Sequence, residues 1–530
     1  MRKKYTAAGK YYQTPVKGGM PKAAVRLLDA GGECVGHFDL EPGTAADCDF
    51  LACGVTPVPA GEPFTLECSG DRVPELTFTD EYPEAPDACA SPERPQYHFS
   101  SRRGWLNDPN GLFYLNGRYH LFYQHNPYGV GWGDMHWGHA VSRDLLHWEE
   151  SADVLAPDGL GAMFSGSAVV DFENASGLGD GKTPPVLLYY TAFGKEGVQC
   201  LAFSTDGGGS FRKYAGNPLI ATTKDARDPD ILWDKKSRRW IMALYLGDQA
   251  DHAFAFYRSA DLIHWEMTSR APFSLSPERE CPGFLRLPVA GEPGVEKHIF
   301  LGANGIYRIG DFDGEGFVAE SGPHSLFVRS GEDCLYAGQS WFNSADGRHL
   351  YIAWQTGDSG SKVFSQTMSI PVELQLRRFP EGLRLTANPV RELETLHGWS
   401  REFPEIAIDN AVVPALWTDV PKGDAWDIEF EVADHSSLNM TVCGNDFAFD
   451  SVKRVIRFCA AEFALPESAG FRVRILVDRN SYELFAADGR IWYGKRLRNR
   501  PDHPLLVPYQ LCGKGVLRNV RLRQVQSVRQ

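Results

Sequence analysis

The chain has 530 residues, 43% of them hydrophobic, enough to bury more than one core, so two to four domains are expected. Its 68 acidic residues outnumber 54 basic ones, and the net charge of −14 provides no field to attract a phosphate backbone or an anionic membrane. Nucleic acid and membrane are thus not expected as partners, whereas a neutral ligand such as a sugar is indifferent to that charge.

Abundant glycine and aromatic residues, short apolar runs and frequent turn signals predict an all-β chain. The basic start MRKKYTAAGKYYQTPVKGG has no apolar run behind it, and no stretch is apolar over a membrane-spanning length. The 11 cysteines are odd in number and form no CxxC pair, which reads as reduced thiols in a cytoplasmic protein. Residues 1–90 alternate apolar and polar in AAVRLLDA, CDFLACGV and PFTLECSG, and predict a small N-terminal β domain. EYPEAPDACASPERP then reads as a linker. The front domain carries no evident chemistry and leaves two roles open, shaping the acceptor side of a site or mediating homodimerisation.

Residues 91–390 hold a weak repeat: SRDLLHWE at 142–149, STDGGGSFRKY at 204–214, SADLIHWE at 259–266 and GDFDGEGF at 310–317. A spacing of roughly 50 to 60 residues suits one four-stranded propeller blade, with room for about five. Trp148 and Trp265 are expected to pack between blades. DFDGEG lacks the acidic twelfth residue of a calcium loop, where Gly322 stands, and His136 and His139 lack a third ligand. No metal and no cofactor are expected. Residues 391–404, with the amphipathic VRELETL at their start, read as a second linker. Residues 405–530 read as a β-sandwich, with the hairpin FRVRILVDRNSYELFAADGRIWYG at 471–494 and packing against the propeller as its expected role.

Three carboxylates stand in contexts that a solvated charge does not need: Asp108 in WLNDPNG, Asp228 in ARDPDILWD and Glu280 in ERECPGFLRL. Pro109 and Pro229 bias the preceding residue to an extended backbone and remove the next ladder donor, so each aspartate suits the end of an inner strand, aimed at the propeller axis. Cleaving a glycosidic bond needs one ionised and one protonated carboxyl group in environments that separate their pKa values. Asp108, between the amides of Asn107 and Asn110, is expected to stay ionised. Glu280, beside Cys281, Pro282 and Phe284, is expected in the more apolar setting that suits the acid. Trp132 suits stacking on a sugar ring, and Gln124, Ser165 and Arg227 suit its hydroxyls.

RPQYHFSSRRGWLNDPNG, WGDMHWGHAVSRDLLHW, MFSGSAVV, ARDPDI, ECPGF and VDRNSYELFAADGR appear in the order seen in glycoside hydrolase family 32, which the chain resembles over about residues 94–525. That family comprises invertases, inulinases, levanases and related fructosyltransferases. The resemblance implies a five-bladed propeller followed by a β-sandwich. It also implies a retaining exo-acting β-fructofuranosidase acting on terminal fructose of sucrose or fructo-oligosaccharides, inulin and levan included. In this reading Asp108 is the nucleophile, Glu280 the acid and then base, and Asp228 the stabiliser of the transition state. Asn107, Gln124, Trp132, Phe164, Ser165 and Arg227 match positions that line the fructose pocket, and Trp354 in YIAWQTGDSG its floor. Leu106 stands in place of a commoner methionine, and Gly283 where many relatives carry an aspartate. Fructosyl transfer on the same fold and a non-catalytic fructan-binding propeller are the alternatives.

Overall fold

The computed structural model describes residues 1–83, 91–221, 225–247, 253–271, 280–329, 334–357, 359–409, 420–459, 461–496, 507–508 and 514–529. Residues 84–90 of the first expected linker lie outside these. Antiparallel sheets follow one another along the chain, with almost no helix between them.

In the front segment a four-stranded and a three-stranded sheet enclose one core, with Val25, Leu27, Phe38, Leu40, Phe64 and Leu66 turned inward. The strand Ala23–Leu28 alternates buried and exposed residues over its first five positions, the pattern of a sheet with one wet face.

Five sheets then form the blades of a propeller, with inner strands Gly104–Leu115, Ala162–Val170, Ala226–Asp234, Gly283–Pro288 and Leu335–Ser340. These strands mix apolar residues that pack between blades with the polar residues of the site, as in GWLNDPNGLFYL and ARDPDILWD. The ring closes where Phe364–Ser365 pairs in parallel with Gly104 and Trp105, so the last blade contributes a strand to the first.

The repeat in the sequence is a repeated turn. Asp144 Oδ1 accepts the backbone N–H groups of Leu146 and His147 at 3.0 and 2.8 Å, and Asp261 Oδ1 does the same for Ile263 and His264. Leu145 and Leu262 sit at φ of 68° and 65° in the two turns. Asp206 holds Gly209 and Ser210, and Asp313 holds Glu315 and Gly316, in the same manner. The aromatic after the turn reaches the adjoining blade: Trp265 meets the Tyr189 ring edge-on at 5.8 Å, and Trp148 stacks 6.4 Å from Trp341.

Two further sheets, six-stranded and five-stranded, build the C-terminal sandwich. It begins earlier than its sequence suggests. The strand His397–Asp409 pairs with Lys514–Val525, so the second half of the 391–404 stretch is sheet and only Arg391–Leu396, a 3-10 turn, connects. Its polarity misleads because Glu402 and Glu405 are matched by Arg521 and Arg518 on the paired strand. The sandwich is locked to the propeller through His98, fully buried, whose ring nitrogens lie 2.9 Å from Asp478 and 2.8 Å from Glu483. Asp478 also accepts the backbone N–H groups of Gln96, Tyr97 and His98, and Glu483 those of Ile370 and the Trp492 indole. Burial opposes charging of His98, but the two carboxylates prevail and push its pKa up to about 9.

Candidate active site

Four of the five inner strands break their ladder with the second strand. Pairing with the second strand slips between Leu106 and Pro109, between Phe164 and Gly166, between Arg227 and Asp230, and between Tyr336 and Gln339. Each slip is a bulge, and a bulge re-aims the side chain at the bend. Proline supplies two of them by withholding a ladder donor. Gly166 permits a third: a Cβ there would lie 1.9 Å from the Tyr189 carbonyl oxygen. In the fourth blade Cys281, at φ 48°, turns the chain just ahead of the strand and sets Glu280 beside the axis.

Asp228 departs from the extended backbone expected before a proline. Its φ is 64°, a strained value for a non-glycine residue. Its own N–H donates to Thr191 Oγ1 at 3.0 Å and its carboxylate accepts the Cys281 N–H at 3.0 Å, so neighbouring blades hold it at both ends. The proline's preference is overridden by contacts across the axis.

The bulges bring the three carboxylates together. The Cys281 sulfur lies 3.5 Å from both Asp108 Oδ2 and Asp228 Oδ2, and Glu280 is the residue just before it. Asp108 accepts the Ser165 hydroxyl at 2.7 Å and the Asn107 amide at 3.1 Å. Glu280 accepts the Tyr336 hydroxyl at 2.6 Å on one oxygen and Arg227 Nη2 at 2.8 Å on the other. Arg227 also pairs with Asp225 and lies over the Tyr245 ring.

These surroundings correct the sequence-based assignment of polar and apolar settings. Only one of the two expected amides reaches Asp108; Asn110 turns to Gln124, the alternation of the strand having carried it past the bend. Burial is the largest influence on Asp108 and pushes its pKa up to about 6, against the Ser165 hydrogen bond and with help from the Glu280 charge. Burial likewise takes Asp228 up to about 7, opposed by Arg227 and reinforced by Glu280 and Asp108. Glu280 has the wetter setting, its side chain 31% exposed and paired with Arg227. Phe284 packs among Phe300 and Phe312 of its own blade and Phe256 of the preceding one. Burial and the nearby carboxylates hold the Cys281 thiol far above its usual range, so it stays protonated between them.

Two groups of aromatic rings border the pocket. Trp132, 59% exposed, stands edge-on to Phe164 at 6.1 Å, and Phe164 stacks on Phe193 at 4.6 Å. Trp105 and Tyr336 each lie 6.1 Å from Trp354, and the Trp105 indole donates to Asn107 at 2.8 Å. Gln124 is buried below, its amide donating to the Met163 carbonyl at 2.8 Å. His139 bonds His120 and lies flat on Phe122, and His136 donates to the Asp134 carbonyl. Neither histidine approaches the carboxylates through a recorded contact, and no cluster of metal-binding residues occurs among the described residues.

Tyr336, Cys281, Thr191 and Trp105 were not singled out from the sequence as site residues. Trp105 had a signal, its place two residues before Asn107. Tyr336 had none, since YAGQ reads as ordinary strand.

Comparison with known proteins adds to this geometry. Residues 98–389 match the model of the glycosyl hydrolases family 32 N-terminal domain. The chain is 37% identical over 483 residues to a levanase of Bacillus subtilis (strain 168), covering 80% of this chain and 68% of that protein. It is 36% identical over 333 residues to an invertase of Schizosaccharomyces pombe (strain 972 / ATCC 24843), covering 57% of this chain and 55% of the invertase. The crystal structure of exo-inulinase from Aspergillus awamori superposes with a TM-score of 0.71 at 26% identity, covering 83% of this chain and 99% of that one.

Proposed function

The chain belongs to glycoside hydrolase family 32, and from that premise we propose that its axial pocket releases fructose from the ends of β-fructosides. The protein is an exo-acting β-fructofuranosidase, a glycoside hydrolase acting on terminal β-D-fructofuranosyl residues of sucrose and fructo-oligosaccharides. The observation that carries the mechanism is the convergence of Asp108, Asp228 and Glu280, from three blades, around the single Cys281 thiol.

Asp108, buried and steered by Ser165 and Asn107, attacks C2 of the fructosyl unit as the bond from C2 to the leaving oxygen breaks. Glu280, at the wetter edge, gives its proton to that oxygen. A water then attacks C2, Glu280 takes its proton, and the bond to Asp108 breaks with overall retention. Asp228, fixed by the Cys281 amide, faces the fructose hydroxyls and balances positive charge as it develops at C2. In the free site Glu280 accepts hydrogen bonds from Arg227 and Tyr336, contacts that substrate must displace or share.

Solvolysis in aqueous methanol tests retention. Methyl β-D-fructofuranoside as the first product supports it, and the α anomer overturns it. We place the protein in a reducing, cytoplasmic compartment, a reading supported by nine free cysteines among the described residues. Recovery of the activity outside the cell would refute that.

A further inference from the structure

The front sandwich lies outside the matched family region, yet it touches the propeller at one functional place, the loop from Pro127 to Met135 that carries Trp132. Phe38 stacks on Tyr128 with ring centroids 3.9 Å apart and planes 10° from parallel. The Tyr12 hydroxyl meets that of Tyr128 at 2.5 Å. Tyr128 and Val130 both pack into the front domain's core, not the propeller's. At the far end of the loop the Asp39 N–H donates to Asp134 Oδ2 at 3.0 Å. Asp134 sits at φ 45° and Gly133 at φ 154°, so the chain turns sharply just after Trp132. From the propeller side the loop is tied by two flanking side chains, Asn126, bonded to Tyr128 N–H and the Gly131 carbonyl, and His136, bonded to the Asp134 carbonyl.

Both ends are thus held by the front domain while Trp132 between them projects into solvent beside Phe164. We infer that the front sandwich is a specificity element. It clamps the Trp132 loop, so that Trp132, which the family resemblance places at the fructose pocket, also extends an exposed aromatic rim against which sugar units beyond the terminal fructose stack. The inference rests on the exo-acting reading: a terminal unit held at the buried carboxylates leaves the remainder of the chain to pass the pocket mouth, where Trp132 stands. Phe38, Tyr12 and Asp39 are positioning residues, since none touches the carboxylates.

A double-mutant cycle on Phe38→Ala and Trp132→Ala tests this, read as kcat and KM for sucrose and for fructo-oligosaccharides of four or more units. Loss of one aromatic contact should raise the oligosaccharide KM about 3- to 10-fold in either single variant. In Phe38→Ala kcat should stay within about twofold and the sucrose KM should move less. The double variant should be no worse than Trp132→Ala alone, because the clamp acts through that ring. Additive losses, or equal losses on both substrates, would overturn the clamp. Tyr12→Phe, which removes one hydroxyl and little packing, should give a smaller shift of the same kind, and an unchanged oligosaccharide-to-sucrose ratio in both Tyr12→Phe and Phe38→Ala also overturns it. Absence of fructose release by the parent from any of these substrates would instead sink the hydrolase reading.

Discussion

Ser165→Ala isolates what keeps the nucleophile ionised. The hydroxyl donates to Asp108 Oδ2 at 2.7 Å, from a buried serine to a half-buried carboxylate. A hydrogen bond to a charged acceptor contributes about 1.5 to 3 kcal/mol, and 1.36 kcal/mol corresponds to about one pKa unit. Asp108 titrates at about 6 with the hydroxyl present. Removing a donor that favours the charged form raises that value, so the acid limb of kcat/KM should move up by about one to two pH units. On the acidic side of the limb each unit is a tenfold loss, giving a deficit of about 10- to 100-fold at pH 5 that narrows above pH 8. The assay is initial fructose release from sucrose at concentrations far below KM, from pH 4 to 9, with the folded state checked by melting at each end. An unmoved acid limb, or one displaced downward, would refute the assignment of Asp108 as the group that must be ionised.

Other consequences follow from the same contacts. Asp108→Asn and Glu280→Gln should each lower kcat by at least about 10²- to 10⁴-fold with the fold intact, as measured by fructose release and circular dichroism. Tyr336→Phe removes the 2.6 Å donor from Glu280 and should lower kcat about 10- to 100-fold with little change in KM; an unaffected kcat would show the contact to be incidental. The His98 lock should make stability fall with rising pH. Its pKa is raised from an ordinary 6.5 to about 9, so its contribution is complete below about 6.5 and is lost as pH rises through 9. His98→Gln should cost about 3 to 5 kcal/mol by leaving Asp478 and Glu483 buried without their partner, and should flatten the fall in melting temperature across that range.

The sequence showed the carboxylates through their prolines, because a missing amide is a local property. The blades showed through the Ser-x-Asp turns, whose hydrogen bonds run only two or three residues along the chain. What sequence could not show lies across the axis. The left-handed backbone of Asp228 depends on Thr191 and Cys281, which belong to two other blades. The burial that lifts Asp108 comes from the closing of the ring and outweighs its local amide. Arg227, expected to meet substrate hydroxyls, bonds Glu280 in the free site, a contact spanning 53 residues with no periodic signature. In each case the deciding neighbour is distant in sequence, and local pattern carries no information about it.

The short parallel clasp between Phe364–Ser365 and Gly104–Trp105 has a consequence for biosynthesis. The strand that bears the nucleophile emerges among the first of its ring, yet its partner on the axial edge is made only within the fifth blade. Until then it presents an unpaired edge at the start of a long, costly loop closure. A nascent chain arrested before Phe364 therefore holds every acidic group the chemistry needs and still lacks a sealed circle to keep them in register. The seam is thus a condition for competence that no earlier part of the ring can meet.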